Sequence, residues 1–185
     1  SRYSTFAHYM ASLGWTVVCF SYRGLGYSRP LPQAPDPVLA DWGREDLAAI
    51  IDWAEAMFSP SYMVAVLHSI SGQLIGLAPN HAKLAACAAI STPRHLWSIW
   101  TSPYRYVLYA FFRFVVPLVL RTRGSLRLSA VGLYDLPSGV ARQWAYAGLV
   151  DEARSENLRR ITASFDQFRV PTLFVSFSDD RGIAP

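Results

Sequence analysis

The chain has 185 residues, of which 52% are hydrophobic and 16% are charged. This composition excludes an intrinsically disordered chain and is sufficient for one domain with a sizeable core. The formal net charge is +4, and the basic residues are arginines, apart from Lys83, scattered along the chain. Because these charges form no basic block, the sequence predicts no binding of nucleic acid.

Segments typical of strands and of helices alternate along the chain. Four runs rich in β-branched and aromatic residues predict strands at residues 15–21, 62–67, 84–91 and 171–178. The first and third of these runs predict strands buried in the core. Helical patterns lie at residues 3–13, 41–58 and 73–79. The alternation predicts βαβ units, with a parallel sheet and helices on both of its sides.

Residues near the helix ends refine this prediction. Gly14 stands where a left-handed residue ends the first helix. Asp41 is predicted to be the N-cap of the second helix, whose apolar face carries Leu47 and Ile51.

The two cysteines and the chain ends bear on compartment and completeness. Cys19 and Cys87 each lie within a strand-like run, which predicts two buried free thiols and a reducing, cytoplasmic compartment. The sequence begins without an initiator methionine or a signal peptide, and we interpret it as a segment of a longer protein.

Residues 92–168 form an aromatic and mostly helical insertion between two of the predicted strands. Within it, residues 106–120 are apolar except for Arg113, and Pro117 interrupts them. This run is shorter than the ~20 residues that span a bilayer, so we interpret it as a cap helix over the sheet. Two alternatives stay open, a transmembrane helix and an interfacial helix that makes weak contact with a membrane surface through its arginines.

One segment carries the most specific signal. An apolar strand-like run ends in His68-Ser69-Ile70-Ser71-Gly72, and a helical pattern follows at once. This layout is that of a nucleophile elbow, which exposes a serine Oγ and aims the next backbone N–H at a developing oxyanion. The sequence therefore predicts Ser69 as a nucleophile and the N–H of Ile70 as an oxyanion donor.

Further motifs accompany the elbow in a familiar order. They are Ser21-Tyr22-Arg23-Gly24-Leu25-Gly26-Tyr27-Ser28, Asp41-Trp42 with Glu45-Asp46-Leu47, Asp135-Leu136-Pro137 with Trp144, and Phe177-Ser178-Asp179-Asp180. With these motifs the chain resembles the α/β-hydrolase superfamily, and more narrowly the uncharacterised bacterial hydrolases related to serine aminopeptidases and monoglyceride lipases. The resemblance covers nearly the whole chain.

The resemblance implies a three-layer α/β-hydrolase fold with a helical cap, truncated at both ends. Residues 1–91 would form the first part of the core, with the elbow. Residues 92–168 would form the cap or lid, and residues 169–185 would return to the core with the acid-bearing strand and loop.

The resemblance also implies a triad and an activity. The acid would be Asp180, with Asp179 as the alternative, and the base would be a histidine expected beyond Pro185. His68 resembles the histidine of the elbow motif rather than the base. The implied activity is hydrolysis of a small carboxylic or acyl ester through an acyl-Ser69 intermediate, with no cofactor and no metal. We expect the isolated segment to be inactive because it lacks the base.

Three residues depart from the family pattern. Leu67 and Ser71 occupy the two glycine positions of the elbow, and Ser21 stands where an aspartate is usual. Leu67 could crowd the turn, which favours an alternative function: a non-catalytic hydrolase-fold protein that binds a ligand or a partner. The sequence does not predict an oligomeric state.

Overall fold

The computed structural model describes residues 3–28, 34–93, 96–128, 135–151 and 155–179. Within them the α-helices are α1 Ser4–Ser12, α2 Leu39–Asp41, α3 Ala48–Phe58, α4 Ile70–Leu74, α5 Tyr104–Ala110, α6 Val116–Arg123, α7 Ser138–Leu149 and α8 Glu156–Thr162. The strands are β1 Val64–His68, β2 Ala86–Ile90, β3 Ser125–Leu126, β4 Leu136–Pro137 and β5 Thr172–Val175. The chain is a mixed α/β protein.

The main sheet has the order β1-β2-β5, and both of its strand pairs are parallel. In the register, Leu67 lies opposite Ala89, which lies opposite Phe174. The remaining strands, β3 and β4, form a separate antiparallel pair. The parallel sheet is confirmed for three of the four predicted strands.

The two faces of this sheet differ in burial. Leu67 and Cys87 lie on the face that packs into the main core, together with Leu74 of α4. On the opposite face Val66 is 47% exposed and Leu173 is 64% exposed. The helices therefore cover the two faces of the sheet unevenly, because strand patterns report the strand and not what covers it.

The predicted strand at residues 15–21 is wrong. These residues join no sheet, although the segment runs alongside β1. Its start contacts the residue two positions before β1, through the rings of Trp15 and Tyr62, whereas Tyr22 bonds to Ser71 beyond the end of β1. The segment is thus parallel to β1, but among the described residues no backbone hydrogen bonds join the two. A strand requires such a ladder, which β-propensity alone cannot supply.

The prediction of two buried thiols is wrong for one cysteine. Cys19 is exposed, because its segment lies outside the sheet. Cys87 is buried in β2, and burial raises the pKa of its thiol. A thiol with a raised pKa is a poor nucleophile, so Cys87 is a packing residue.

The helix before β1 begins earlier than predicted. It comprises α2, a π-helical turn at Trp42–Leu47, and α3. Val38 is the N-cap residue, and its N–H donates to Asp41 Oδ2 at 2.8 Å. Asp41 caps the helix from three positions inside it, so its predicted N-cap place is wrong. Leu47 and Ile51 are buried, as predicted.

The insertion between β2 and β5 is mostly helical, as predicted. A π-helical turn at Phe111–Val115 joins α5 to α6, with Pro117 near the start of α6. The side chains of Phe112 and Val116 are buried against α7 in a second hydrophobic core. Among the described helices, none is long and apolar enough to cross a bilayer.

Candidate functional site

Ser69 occupies a sharp turn between β1 and α4. Its backbone has φ 55° and ψ −123°, whereas the strand ends at His68 and the helix begins at Ile70. The N–H of Ser69 donates to the carbonyl of Ile90 at 2.9 Å, and Gly72 N–H donates to the carbonyl of Ser69 at 3.1 Å. The turn is therefore bonded to β2 on one side and to α4 on the other.

The positive φ of Ser69 is a strained conformation for a residue with a side chain. Such a conformation costs on the order of 1–3 kcal/mol and persists only where the surroundings determine it. The neighbouring strand also ends in a serine of positive φ, Ser91, whose N–H donates to the carbonyl of Val175 at 2.8 Å. Strained backbone is thus found directly after the carboxyl ends of two parallel strands. In such folds ligands bind at this end of the sheet.

The two residues at the elbow glycine positions are accommodated differently. Leu67 is 4% exposed and packs with Leu74 in the main core. One residue after the pattern, a Cβ on Gly72 would collide with the side chain of Thr92. The glycine that the turn needs is therefore Gly72, and Leu67 contributes to the core.

Ser71 is bonded to a residue that the sequence analysis did not single out. The hydroxyl of Tyr22 donates to Ser71 Oγ at 3.0 Å. The Tyr22 ring stacks on Trp42 with centroids 4.8 Å apart and planes inclined by 14°. Burial raises the pKa of Tyr22 to about 12, against the opposing effect of the hydrogen bond to Ser71. In the sequence, Tyr22 had a signal only as part of the glycine-rich motif.

Arg23 ties the same loop to the π-helical turn. Its backbone N–H and its Nε donate to Asp46 at 2.8 and 2.6 Å, and its guanidinium pairs with Glu45 at 2.5 Å. The indole of Trp42 donates to the carbonyl of Arg23 at 3.0 Å. Because its side chain is paired with two carboxylates, Arg23 positions the loop and is not free to bind an anion.

The described histidines have separate roles. His68 Nδ1 lies 3.0 Å from the hydroxyl of Tyr3. His81 is buried, and its Nδ1 donates to the carbonyl of Ala78 at 2.7 Å. His8 is exposed on α1, and His95 lies outside the described residues.

Of the two candidates for the acid, only the alternative, Asp179, lies within the described chain. Asp179 is exposed in the loop after β5, and Asp180 lies outside the described residues. In the parallel sheet one strand separates β1 from β5. Their carboxyl ends therefore lie at the same end of the sheet, about 10 Å apart. Asp179 and Ser69 therefore both lie beyond the carboxyl ends of the strands, at the same end of the sheet.

Two cavities lie beside α4. The first, of about 500 Å³, is bounded by α4 and by side chains of the insertion such as Leu158 and Phe165. The second, of about 460 Å³, lies between residues 15–20 and β1 and extends to His68 and Ser71. Among the described residues, neither cavity is lined by Asp, Glu, Lys or Arg. Their linings therefore suit uncharged, apolar groups.

Comparison of the chain with protein-family models, with curated proteins and with solved structures found no match. Within the described ranges, no three His, Cys, Asp or Glu side chains lie close enough together to hold a metal ion.

Proposed function

We propose that this chain is part of a serine hydrolase with the α/β-hydrolase fold, which cleaves carboxylic esters through an acyl-Ser69 intermediate. The observation that carries the proposal is the positive φ of Ser69 between a parallel strand and a helix. The resemblance of the sequence motifs supports the same fold, with the insertion as its lid.

The proposed reaction has two steps. Ser69 Oγ attacks the ester carbonyl while a histidine beyond Pro185, oriented by Asp180 or Asp179, takes its proton. The oxyanion accepts from the N–H of Ile70. The C–O bond to the alcohol then breaks, and the histidine gives its proton to the leaving alcohol. Water hydrolyses the acyl enzyme by the same route and regenerates Ser69.

The linings of the two cavities support a class of substrate. Both are lined by residues within three positions of Ser69, Gly72 in the first cavity and His68 in the second, and among the described residues neither lining contains Asp, Glu, Lys or Arg. Burying an unpaired charge there would be costly. We therefore expect a small ester with an uncharged acyl or aryl group, and no cofactor.

A fluorophosphonate probe tests this function. On the full-length protein, we expect covalent labelling that mass spectrometry locates at Ser69 and that Ser69→Ala abolishes. Ser59→Ala is the matched control, because Ser59 is also a serine with positive φ but lies at the end of α3. No labelling of the folded protein would exclude the hydrolase and favour the alternative, a binding protein that retains the hydrolase frame.

We infer a second function for the α5–α6 helix, weak docking on a membrane surface. Val107 and Leu118 are 64% and 63% exposed, although Phe112 and Val116 are buried on the same helix. The guanidinium of Arg113 lies 5.5 Å from the ring of Phe114, so a cation accompanies the exposed apolar side chains. Apolar and basic groups together are typical of helices that lie on anionic lipid.

Co-sedimentation with vesicles of anionic phosphatidylglycerol tests the docking. We expect Leu118→Gln to reduce the bound fraction, because it removes apolar contact with the lipid. Leu13→Gln is the matched control, since Leu13 is 58% exposed at the end of α1. Equal binding of the two variants and the wild type would exclude docking through this helix.

A further inference from the structure

Tyr22 connects the glycine-rich loop to the turn of Ser69. Its hydroxyl donates to Ser71 Oγ at 3.0 Å, across 49 positions in the sequence. Ser71 is the second residue of α4 and follows Ser69 by two positions. The hydrogen bond therefore holds the first turn of the helix that begins directly after Ser69.

Tyr22 is itself held on several sides. Its ring stacks on Trp42 at 4.8 Å and meets Phe20 edge-on at 4.9 Å. Trp42 is 3% exposed, and its indole donates to the carbonyl of Arg23, the residue after Tyr22. A ring fixed on two sides, with its backbone fixed on a third, can direct its hydroxyl with little entropic cost.

The turn needs such a contact on its helix side. The strand side of Ser69 is fixed by its N–H, which donates to Ile90 in β2 at 2.9 Å. On the other side, α4 has only five residues, and so short a helix is not stable by itself. The strained φ of Ser69 persists only if both sides are held.

We propose that Tyr22 is a positioning residue for Ser69 and acts through the hydroxyl of Ser71. This inference rests on the proposed function of Ser69 as a nucleophile. Ser71 is then more than a tolerated substitute for the second elbow glycine, because it offers the acceptor that Tyr22 needs. Ser71→Gly, which restores the glycine of the family pattern, should slow the reaction.

The rate of fluorophosphonate labelling of the full-length protein tests the proposal. We expect Tyr22→Phe and Ser71→Gly each to lower the maximal labelling rate about three- to tenfold, which corresponds to the loss of one hydrogen bond. The probe concentration at which the labelling rate is half-maximal should not change. The double variant should be no slower than the slower single variant, because both changes remove the same contact. Additive losses would overturn the proposal.

Tyr27→Phe is the matched control. Tyr27 lies in the same loop and is fully exposed, so this variant loses a hydroxyl without losing a contact and should label at the wild-type rate. Phenylalanine at position 22 keeps the stacking on Trp42, which preserves the fold. A Tyr22→Phe protein that labels as fast as the wild type would overturn the positioning role.

Amide hydrogen exchange provides a readout that needs no working nucleophile. We expect Tyr22→Phe to accelerate exchange at Ile70 and Gly72 and to leave β2 unchanged. If the wild type is not labelled but exchange is accelerated in this way, the hydrolase function fails and the positioning of the turn stands. Unchanged exchange at Ile70 would overturn the positioning role, whether or not the wild type is labelled.

Discussion

Leu67 shows how one side chain can serve the fold while it departs from a motif. It precedes Ser69 by two positions, where the family pattern has glycine. In the sheet register it lies opposite Ala89, and the small alanine leaves room for the larger side chain. Leu67 then joins Leu74 and Ile75 in the main core, so the first turns of the elbow helix pack on it.

We expect Leu67→Ala to destabilise the protein by about 3 kcal/mol, because it leaves a cavity beneath α4. Urea denaturation followed by circular dichroism measures the loss. Leu13→Ala, at an exposed leucine, should change the free energy of unfolding by less than about 0.5 kcal/mol. If both variants lose the same free energy of unfolding, the side chain of Leu67 does not stabilise the core more than an exposed leucine does.

Tyr22 predicts a pH dependence of stability. Burial raises its pKa from 10.0 to about 12 in the folded state. Between these values the unfolded tyrosine releases its proton before the folded one does, so the stabilisation is complete below pH 10 and is lost as the pH rises towards 12. Two pKa units correspond to roughly 3 kcal/mol.

Urea denaturation at several pH values from 8 to about 12 checks this prediction. The rest of the protein can also respond to alkaline pH, so the informative quantity is the difference in the free energy of unfolding between wild type and Tyr22→Phe. We expect this difference to shrink as the pH rises, because the phenylalanine variant has no phenol at this position. A difference independent of pH would contradict the raised pKa.

At the scale of elements, α4 is held by close approach to the π-helical turn before α3. A Cβ on Gly43 would lie 2.7 Å from the carbonyl oxygen of Leu74 and 2.7 Å from the Cβ of Leu77. Only glycine avoids these contacts, so the two segments can come this close because residue 43 is a glycine. The helix that follows Ser69 therefore packs against a glycine that lies outside the Ser69 motif.

We expect Gly43→Ala to destabilise the protein by about 1–3 kcal/mol, because the new methyl group forces the segments apart. Thermal denaturation measures the effect. Gly124→Ala is the control, because a Cβ there meets no atom within 4 Å although φ is +70°. It should show only the cost of the backbone conformation, about 1 kcal/mol. If the Gly43→Ala variant is as stable as the wild type, the neighbouring segment accommodates the added methyl group and the contact does not require glycine.

The sequence predicted those elements whose signal is local. The apolar run before Ser69 and the helical pattern after it were enough to place the turn. The Tyr22–Ser71 bond was not predictable, because it joins residues 49 positions apart. The strand at residues 15–21 was predicted wrongly for a related reason, since a strand depends on a neighbour that local patterns do not reveal.

At the scale of the whole molecule, the main sheet is covered unevenly. Val66 and Leu173 are exposed on one face, and beside it a cavity of about 460 Å³ separates residues 15–20 from β1. Among the described strands, β1 and β5 are both edges of the sheet. Such an apolar surface, next to strand edges, is typical of regions that bind other molecules or self-associate.

This exposed apolar surface predicts that the folded chain binds the apolar dye anilinonaphthalene sulfonate. The double variant Val66→Thr and Leu173→Thr should remove most of the fluorescence enhancement, since threonine is β-branched and suits a strand but places a hydroxyl on the surface. The matched control is Leu13→Thr with Val107→Thr, which makes two exposed apolar residues polar outside the sheet. Its dye binding should stay at the wild-type level, and equal loss in both double variants would show that the dye reports general surface apolarity instead of this face.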